Sequence, residues 1–112
     1  MRPRLPVLLG AVQEADGVTL DLLVPADLAW FEGHFPGQPV LPGVVQLDWV
    51  MRLAAGHLGI ARRAGCDLKV KFRRIIGPDT RLTLDLRVDG RRLAFAYRCG
   101  DEVMSSGTVV LP

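Results

Sequence analysis

The strongest constraint on the fold is an apolar segment that follows Pro42. No proline interrupts the chain from Gly43 to His57, and a proline at the first turn favours helix initiation, so the segment predicts one helix of about fifteen residues. Apolar side chains lie on nearly every side of this helix, namely Val44, Val45, Leu47, Trp49, Val50, Met51, Leu53, Ala54 and Ala55. Because a surface helix keeps a polar face, we expect this one at the buried centre of the domain.

The segments on both sides of the helix alternate between apolar and polar residues, as β-strands do. Two strands are predicted before the helix and four after it, at residues 5–14, 18–24, 68–73, 80–88, 91–99 and 103–111. Asp-Gly pairs at 16–17 and 89–90 are typical hairpin turns. We therefore expect an α+β fold, in which an antiparallel sheet of about six strands wraps around the long buried helix.

Size and charge limit the classes of protein to consider. A chain of 112 residues has the size of one domain, so we expect residues 1–112 to share one core. Hydrophobic residues make up 49% of the chain, and the apolar surface left over predicts a homodimer or a higher oligomer. The net charge of +2 is far below that of proteins that neutralise many phosphates, so nucleic acid is not an expected partner.

The charge is unevenly distributed along the chain. Residues 1–61 contain 3 Lys and Arg against 6 Asp and Glu, whereas residues 62–112 contain 11 against 6. A basic face formed by the second half would attract an acidic partner.

We expect a soluble, cytoplasmic protein. No apolar stretch approaches the roughly 20 residues needed to span a membrane. The apolar run at the start is broken by Pro6 and lacks a small-x-small cleavage site, so we interpret it as a strand of the mature protein. Cys66 and Cys99 lack metal-ligand spacing; they could form one disulfide, but two reduced thiols are the preferred interpretation. No bound metal is expected.

The segment GHFPGQPVLPGVVQLDWVMR contains His34 and Asp48, two ionisable residues whose positions both need an explanation. His34 lies in a proline-rich loop and is either a structural residue or a base; long ordered loops often carry function. Asp48 lies in the apolar helix, where a carboxylate must find a partner or take up a proton. Arg52, at i+4, could be that partner. Gly43 begins the helix, where free amides can bind a carbonyl or an oxyanion.

This segment resembles the motif of hot-dog-fold 3-hydroxyacyl-acyl-carrier-protein dehydratases of the FabA and FabZ type. In that family a histidine is followed fourteen residues later by Glu or Asp, and His34 and Asp48 have this spacing. The downstream KVKFRRIIGPDTRLTLDLRV is similar to the family's strand with a Phe-Arg-Arg element, so the resemblance covers residues 30–88. The short chain with a Leu-Asp-Trp-Val helix is also similar to dehydratase-like proteins of aryl-polyene clusters.

The resemblance implies dehydration of a (3R)-3-hydroxyacyl thioester on acyl carrier protein to a trans-2-enoyl thioester, in fatty acid or aryl-polyene biosynthesis. His34 would remove the proton at C2, Asp48 would protonate the departing 3-hydroxyl, and the amide of Gly43 would polarise the thioester carbonyl. In the family, the two catalytic side chains come from opposite protomers of a dimer. No metal, nucleotide or other cofactor is implied.

The resemblance also suggests residues that bind the substrate and its carrier. The carbonyl of the residue matching Val40 orients the histidine in the family, and Trp30 and Phe35 would pack the loop and line the acyl site. An acidic carrier with its phosphopantetheine-linked chain would dock on the basic residues Arg62, Arg63, Lys69, Lys71, Arg73 and Arg74.

Arg52 departs from the family pattern, which commonly has Gln at this position. A guanidinium there would favour an ionised Asp48 and weaken it as an acid. Two alternative functions stay open: a hot-dog acyl thioesterase, which the His-loop-Asp motif disfavours, and a catalytically weak partner subunit that binds acyl carrier protein, which Arg52 favours.

Overall fold

The computed structural model describes residues 2–31, 39–60 and 67–111. Its elements are β1 (Val7–Glu14), β2 (Gly17–Leu23), a short 3-10 helix (Ala29–Phe31), α1 (Gly43–Leu58), β3 (Asp67–Phe72), β4 (Arg81–Asp89), β5 (Arg92–Cys99) and β6 (Glu102–Val110). Each predicted helix and strand is present, with bounds within two residues of those expected. The predicted α+β class and its six strands are confirmed.

The six strands form one antiparallel sheet in the order β1-β2-β4-β5-β6-β3. The connection that contains α1 leads from β2, beside one edge, to β3 at the opposite edge. The register aligns one row of residues across the sheet: Leu20, Leu84, Tyr97, Ser105 and Phe72. Because paired residues share a face, this row points toward the helix, with Phe72 at its open end.

The core lies between this face of the sheet and one side of α1. Alternate residues of the central strands are buried there, namely Leu20, Leu22, Leu82, Leu84, Leu86, Leu93, Phe95 and Tyr97. Their partners on the helix are buried as well: Val45, Trp49, Val50 and Ala54. Trp49 and Tyr97 are the largest fully buried side chains among the described residues.

The described residues cover the opposite side of α1 only in part. Val44, in the first turn, is 74% exposed, whereas its neighbour Val45 is 5% exposed. The predicted burial of the helix is therefore confirmed on the side that packs against the sheet and not on the side of Val44. The physical reason is that a sheet covers one face of a helix, and a second layer is needed for the other.

The edge strand β3 has one basic and one apolar face. Lys69 and Lys71 are exposed on one face, as the alternation predicts. On the other face, Leu68 and Phe72 are 45% and 55% exposed, because the helix covers this edge only in part. Apolar groups are thus left uncovered at both the helix start and this edge.

Ion pairs tie four strands together on the outer face of the sheet. Arg98 Nε lies 2.7 Å from Asp85 Oδ2, and the Thr19 hydroxyl donates to Asp85 Oδ1 at 3.1 Å. Arg87 reaches Glu14 on β1 at 3.1 Å. Burial raises the pKa of Asp85, but hydrogen bonds from Arg98 and Thr19, with the guanidinium charges, outweigh it and hold that pKa below its ordinary value.

No helix in the described part of the chain is both long and apolar enough to span a membrane. Cys99 is an exposed free thiol, and Cys66 lies outside the described residues, so the expected state of the two thiols stays a prediction. Within residues 2–31, 39–60 and 67–111, no cluster of three or more His, Cys, Asp or Glu side chains could hold a metal ion.

Replacing Asp85 with Asn tests the outer-face network. Because the folded state lowers the pKa of Asp85, its charge stabilises the fold above the unfolded pKa of about 3.9 and this contribution is lost as the pH falls through the folded pKa. We expect Asp85→Asn to lower the free energy of unfolding by about 1 kcal/mol at pH 7. Urea denaturation should show this difference shrinking below about pH 4.

Asp89→Asn is the matched control, since Asp89 ends the same strand, is exposed, and has no ion pair among the described residues. It should leave the free energy of unfolding within about 0.5 kcal/mol of native. Equal losses for both variants, or a loss for Asp85→Asn that does not shrink as the pH is lowered below about 3.9, would contradict the assigned role of the network.

Candidate active site

Asp48 lies in the second turn of α1, at the border between the covered and uncovered sides of the helix. Its side chain is 29% exposed, and its Oδ2 accepts a hydrogen bond from Arg52 Nε at 2.7 Å. The structure thus contains the ion pair between Arg52 and Asp48, which was one of the two explanations considered for this carboxylate. The apolar surroundings expected of Asp48 are present on one side only.

A cavity of about 740 Å³ opens beside this carboxylate, within the usual size range of sites for small ligands. Among the described residues, its lining combines apolar walls with three charged side chains: Arg4, Leu5, Trp30, Pro42, Val44, Val45, Asp48 and Arg52. Trp30, predicted to line the acyl site, therefore lies at the same cavity as Asp48. The arrangement provides an apolar space with the carboxylate of Asp48 at its wall.

The N-terminal segment contributes Arg4 and Leu5 to the lining of this cavity. The carbonyl oxygen of Arg4 accepts hydrogen bonds from the indole N–H groups of Trp30 and Trp49, at 3.1 and 3.0 Å. The guanidinium carbon of Arg4 lies 5.7 Å from the ring centre of Trp30, a cation–π distance. Sequence analysis did not identify Arg4; a buried tryptophan signals that some acceptor is required, but not which carbonyl supplies it.

The first turn of α1 presents backbone amides without a capping side chain. Pro42 occupies the N-cap position, and its carbonyl accepts from the amides of Val45 and Gln46, each at 3.1 Å. The earlier amides, including that of Gly43, point out of the helix start, where the helix dipole favours a carbonyl or an oxyanion. This is the position predicted for Gly43.

Gly43 and Val40 border a smaller cavity of about 310 Å³, on the β3 side of the helix start. A methyl group at Gly43 would lie 2.6 Å from Cζ of Phe72, a distance that real side chains do not tolerate. Glycine at this position therefore leaves room for the ring of Phe72 against the helix start.

A buried polar cluster lies beneath the helix start. Gln46 Nε2 donates to the carbonyl of Leu41 at 3.2 Å, and the Ser105 hydroxyl donates to Gln46 Oε1 at 2.7 Å. The Tyr97 hydroxyl donates to the backbone carbonyl of Gln46 at 2.7 Å. Burial, together with the negative charge of Asp48, raises the pKa of Tyr97 well above its ordinary value, so this hydroxyl stays a neutral donor. Sequence analysis singled out none of these three polar residues.

The remaining predicted residues divide into two groups. His34, Phe35, Arg62 and Arg63 lie outside the described residues, so the pairing of His34 with Asp48 stays a prediction. The other proposed docking residues, Lys69, Lys71, Arg73 and Arg74, are exposed in β3 and directly after it. One of them, Arg74, lies 3.6 Å from Glu102 across the neighbouring strand.

Comparison with solved structures identifies the class of fold. The dehydratase heterocomplex ApeI:P from Xenorhabdus doucetiae contains a chain that superimposes with a TM-score of 0.80 and 34% identity, covering 94% of this chain and 96% of that one. An uncharacterized protein from Erwinia carotovora gives a TM-score of 0.73 and 38% identity, with 94% of each chain covered. The fold is therefore the hot-dog fold of dehydratases, as predicted.

Sequence comparison identifies the family. The model of the ApeI-like family, described as ApeI dehydratase, matches residues 11–108. The 3-hydroxyacyl-[acyl-carrier-protein] dehydratase FabZ of Legionella pneumophila is 31% identical over 77 residues, which cover 59% of this chain. The chain spans only 51% of that relative's length. With nearly its whole length matched by the family model, this chain belongs to the ApeI-like dehydratase family.

Proposed function

We propose that this protein dehydrates (3R)-3-hydroxyacyl thioesters carried on acyl carrier protein to trans-2-enoyl thioesters, in fatty acid or aryl-polyene biosynthesis. The observation that carries the proposal is the position of Asp48, at the wall of an apolar cavity in a chain of the ApeI-like dehydratase family. An acid at an apolar wall suits this substrate, because the acyl chain is buried in the cavity while the 3-hydroxyl group contacts a proton donor.

In the proposed reaction, His34 takes the proton from C2 and Asp48 gives a proton to the 3-hydroxyl. The C3–O bond breaks, water leaves, and the electrons of the former C2–H bond form the C2–C3 double bond. The amide of Gly43 donates to the thioester oxygen, on which negative charge develops. The proton then returns from His34 to Asp48, directly or through solvent, and the site is reset.

The ion pair with Arg52 adds a requirement to this mechanism. In the free protein, Arg52 Nε donates to Asp48 Oδ2 at 2.7 Å, and this hydrogen bond must break before that oxygen can meet the 3-hydroxyl of the substrate. Because Arg52 is 51% exposed, its side chain is free to move when substrate fills the cavity. We therefore propose that substrate binding displaces Arg52 from Asp48.

The exposed cations suit an acidic carrier protein. Lys69 and Lys71 project from the outer face of β3, and Arg73 and Arg74 follow that strand beside the cavity that Gly43 borders. Together with Arg62 and Arg63, they would steer acyl carrier protein toward the helix start. The phosphopantetheine arm would then bring the thioester to Gly43.

A second copy of the chain would cover the exposed apolar groups. The edge of β3 is unpaired among the described strands, and Phe72 and Val44 expose their side chains at this end of the molecule. Pairing of this edge with the same edge of a second copy would bury them, and the resemblance places His34 and Asp48 on opposite protomers. We propose a homodimer as the active unit.

A second candidate function is that of a partner subunit with little activity of its own. This function is favoured by the ion pair in which Arg52 holds the carboxylate of Asp48. The similar chain from Xenorhabdus doucetiae is part of a complex described as a dehydratase heterocomplex. Under this alternative, the chain binds carrier protein or completes another subunit's site.

The assay is incubation with a 3-hydroxyacyl carrier protein, followed by mass spectrometry for the loss of water. We expect dehydration by the native protein, and losses of at least about 100-fold in turnover for His34→Ala and for Asp48→Asn. His57→Ala and Asp89→Asn are the matched controls, because they change the same residue types away from the cavity. Free acid instead of enoyl product would indicate a thioesterase, and no reaction would favour the partner-subunit function.

Mixing the two inactive variants tests the shared site. If His34 and Asp48 act across a dimer interface, hybrid dimers of His34→Ala with Asp48→Asn contain one intact site. Equal mixing should restore up to about a quarter of native activity once subunits have exchanged. Absence of recovery after exchange has been shown by native mass spectrometry would place both residues in one protomer.

Arg52→Gln tests the proposed displacement of the guanidinium. The variant removes the guanidinium that holds Asp48 Oδ2, so the acid no longer has to be released before it meets the 3-hydroxyl, and turnover should rise about three- to tenfold. Arg52→Lys keeps a cationic donor four residues after Asp48 and should leave turnover closer to the native value. A change confined to the apparent affinity for carrier protein would instead assign Arg52 to docking.

A further inference from the structure

We propose that Gln46 is a positioning residue. Ser105 and Tyr97 hold Gln46, which in turn fixes the carbonyl of Leu41. This bond sets the position of the first turn of α1, the helix that carries Gly43 and Asp48. The inference deepens the proposed function and rests on it for its catalytic part. It concerns three polar side chains that the proposed chemistry does not itself use.

The starting observation is a polar side chain where an apolar one would suffice. Gln46 is 4% exposed and lies between the buried residues Val45 and Trp49 on the side of α1 that faces the sheet. An amide buried in an apolar core is unfavourable unless its polar atoms are hydrogen-bonded. Here both ends of the amide have partners, the carbonyl of Leu41 and the hydroxyl of Ser105.

The bond to Leu41 fixes how the chain enters the helix. The amide of Leu41 donates to the carbonyl of Ile76 at 2.7 Å, while its own carbonyl accepts from Gln46 at 3.2 Å. Leu41 is 1% exposed, and the proline that follows it restricts its backbone to extended conformations. Leu41 is therefore held on both sides, immediately before the turn that presents the amide of Gly43.

The sheet holds Gln46 in turn. Tyr97 and Ser105 are paired neighbours in the register of β5 and β6, and both side chains are fully buried. Ser105 fixes the side-chain oxygen of Gln46, and Tyr97 donates to its backbone carbonyl at 2.7 Å. Two strands thus anchor one helical residue that lies three positions after Gly43 and two before Asp48.

Such anchoring matters for catalysis because donor groups act only in a narrow range of geometry. A displacement of about 1 Å can cost about 100-fold in rate without loss of the fold. The cluster therefore controls the relative placement of the oxyanion-binding amide and the acid, through Leu41 and the backbone of the helix.

The decisive variant is Gln46→Met, which has a similar length and no hydrogen-bonding capacity. We expect at least about a tenfold fall in kcat with KM changed less than about twofold, because binding surfaces stay intact while geometry is lost. Tyr97→Phe and Ser105→Ala should each show the same split to a smaller degree. Leu93→Ala is the control: Leu93 is buried on the same face of the same strand as Tyr97, so its replacement should lower Tm and leave kcat within about twofold.

Gln46→Glu supplies a second readout. When protonated, a glutamic acid at this position can still donate to Leu41 and accept from Ser105; when ionised, it loses the donor. Burial would raise the pKa of this acid above the usual value of about 4.3. The kcat of this variant should therefore approach the native value at low pH and fall as the pH rises. The pH profiles of the native protein and of Gln46→Met should lack this fall. Circular dichroism at each pH verifies that the variant remains folded.

Hydrogen exchange separates the failure of this inference from failure of the proposed function. In Gln46→Met, the amides of Leu41, Val45 and Gln46, which are hydrogen-bonded in the native protein, should exchange faster than in the native protein, while those of β4 stay unchanged. If the native protein does not dehydrate 3-hydroxyacyl carrier protein, the proposed function fails and this exchange result still supports the anchoring. Native-like exchange in Gln46→Met, or a kcat unchanged in both Gln46→Met and Tyr97→Phe, would overturn the inference.

Discussion

The packing of one side of α1 against the sheet is the interaction on which the rest of the structure depends. Trp49, Val50 and Ala54 are fully buried on that side, against the alternate residues of β2, β4 and β5. At about 25 cal/mol per Å² of apolar surface, such contacts provide most of the favourable free energy of a small domain. They also fix the rotation of the helix about its axis, and this rotation decides which side chains face the cavity.

The same rotation places Asp48 at a boundary. One position further round the helix it would be buried in the core, where an unpaired carboxylate is costly, and on the far side it would be fully in water. At the boundary it is 29% exposed and paired with Arg52, while the apolar wall that includes Val44 and Trp30 extends beside it. A site for acid chemistry on an apolar substrate requires this combination of access and low polarity.

The two faces of the sheet contain polar groups of different kinds. On the outer face, Asp85, Arg98 and their neighbours form ion pairs that are partly in water and contribute modest stability. On the inner face, Gln46, Tyr97 and Ser105 form neutral hydrogen bonds that are fully enclosed. Enclosed bonds tolerate little displacement, because a partner lost there is not replaced by water. This enclosed polar cluster lies directly beneath the helix turn where the reaction is proposed to occur.

The sequence by itself determined the elements and the chemistry of the motif. Two-residue alternation, Asp-Gly turns and Pro42 are local signals, so they located six strands and the start of α1 to within two residues, and the spacing of His34 and Asp48 indicated the family. Only the tertiary structure decided the strand order, which leaves Phe72 half exposed at the edge beside β6. The tertiary structure also decided the partners of Gln46, one of which lies 59 residues away in the sequence. Such pairings depend on how distant segments meet in the folded chain, and no pattern of neighbouring residues encodes them.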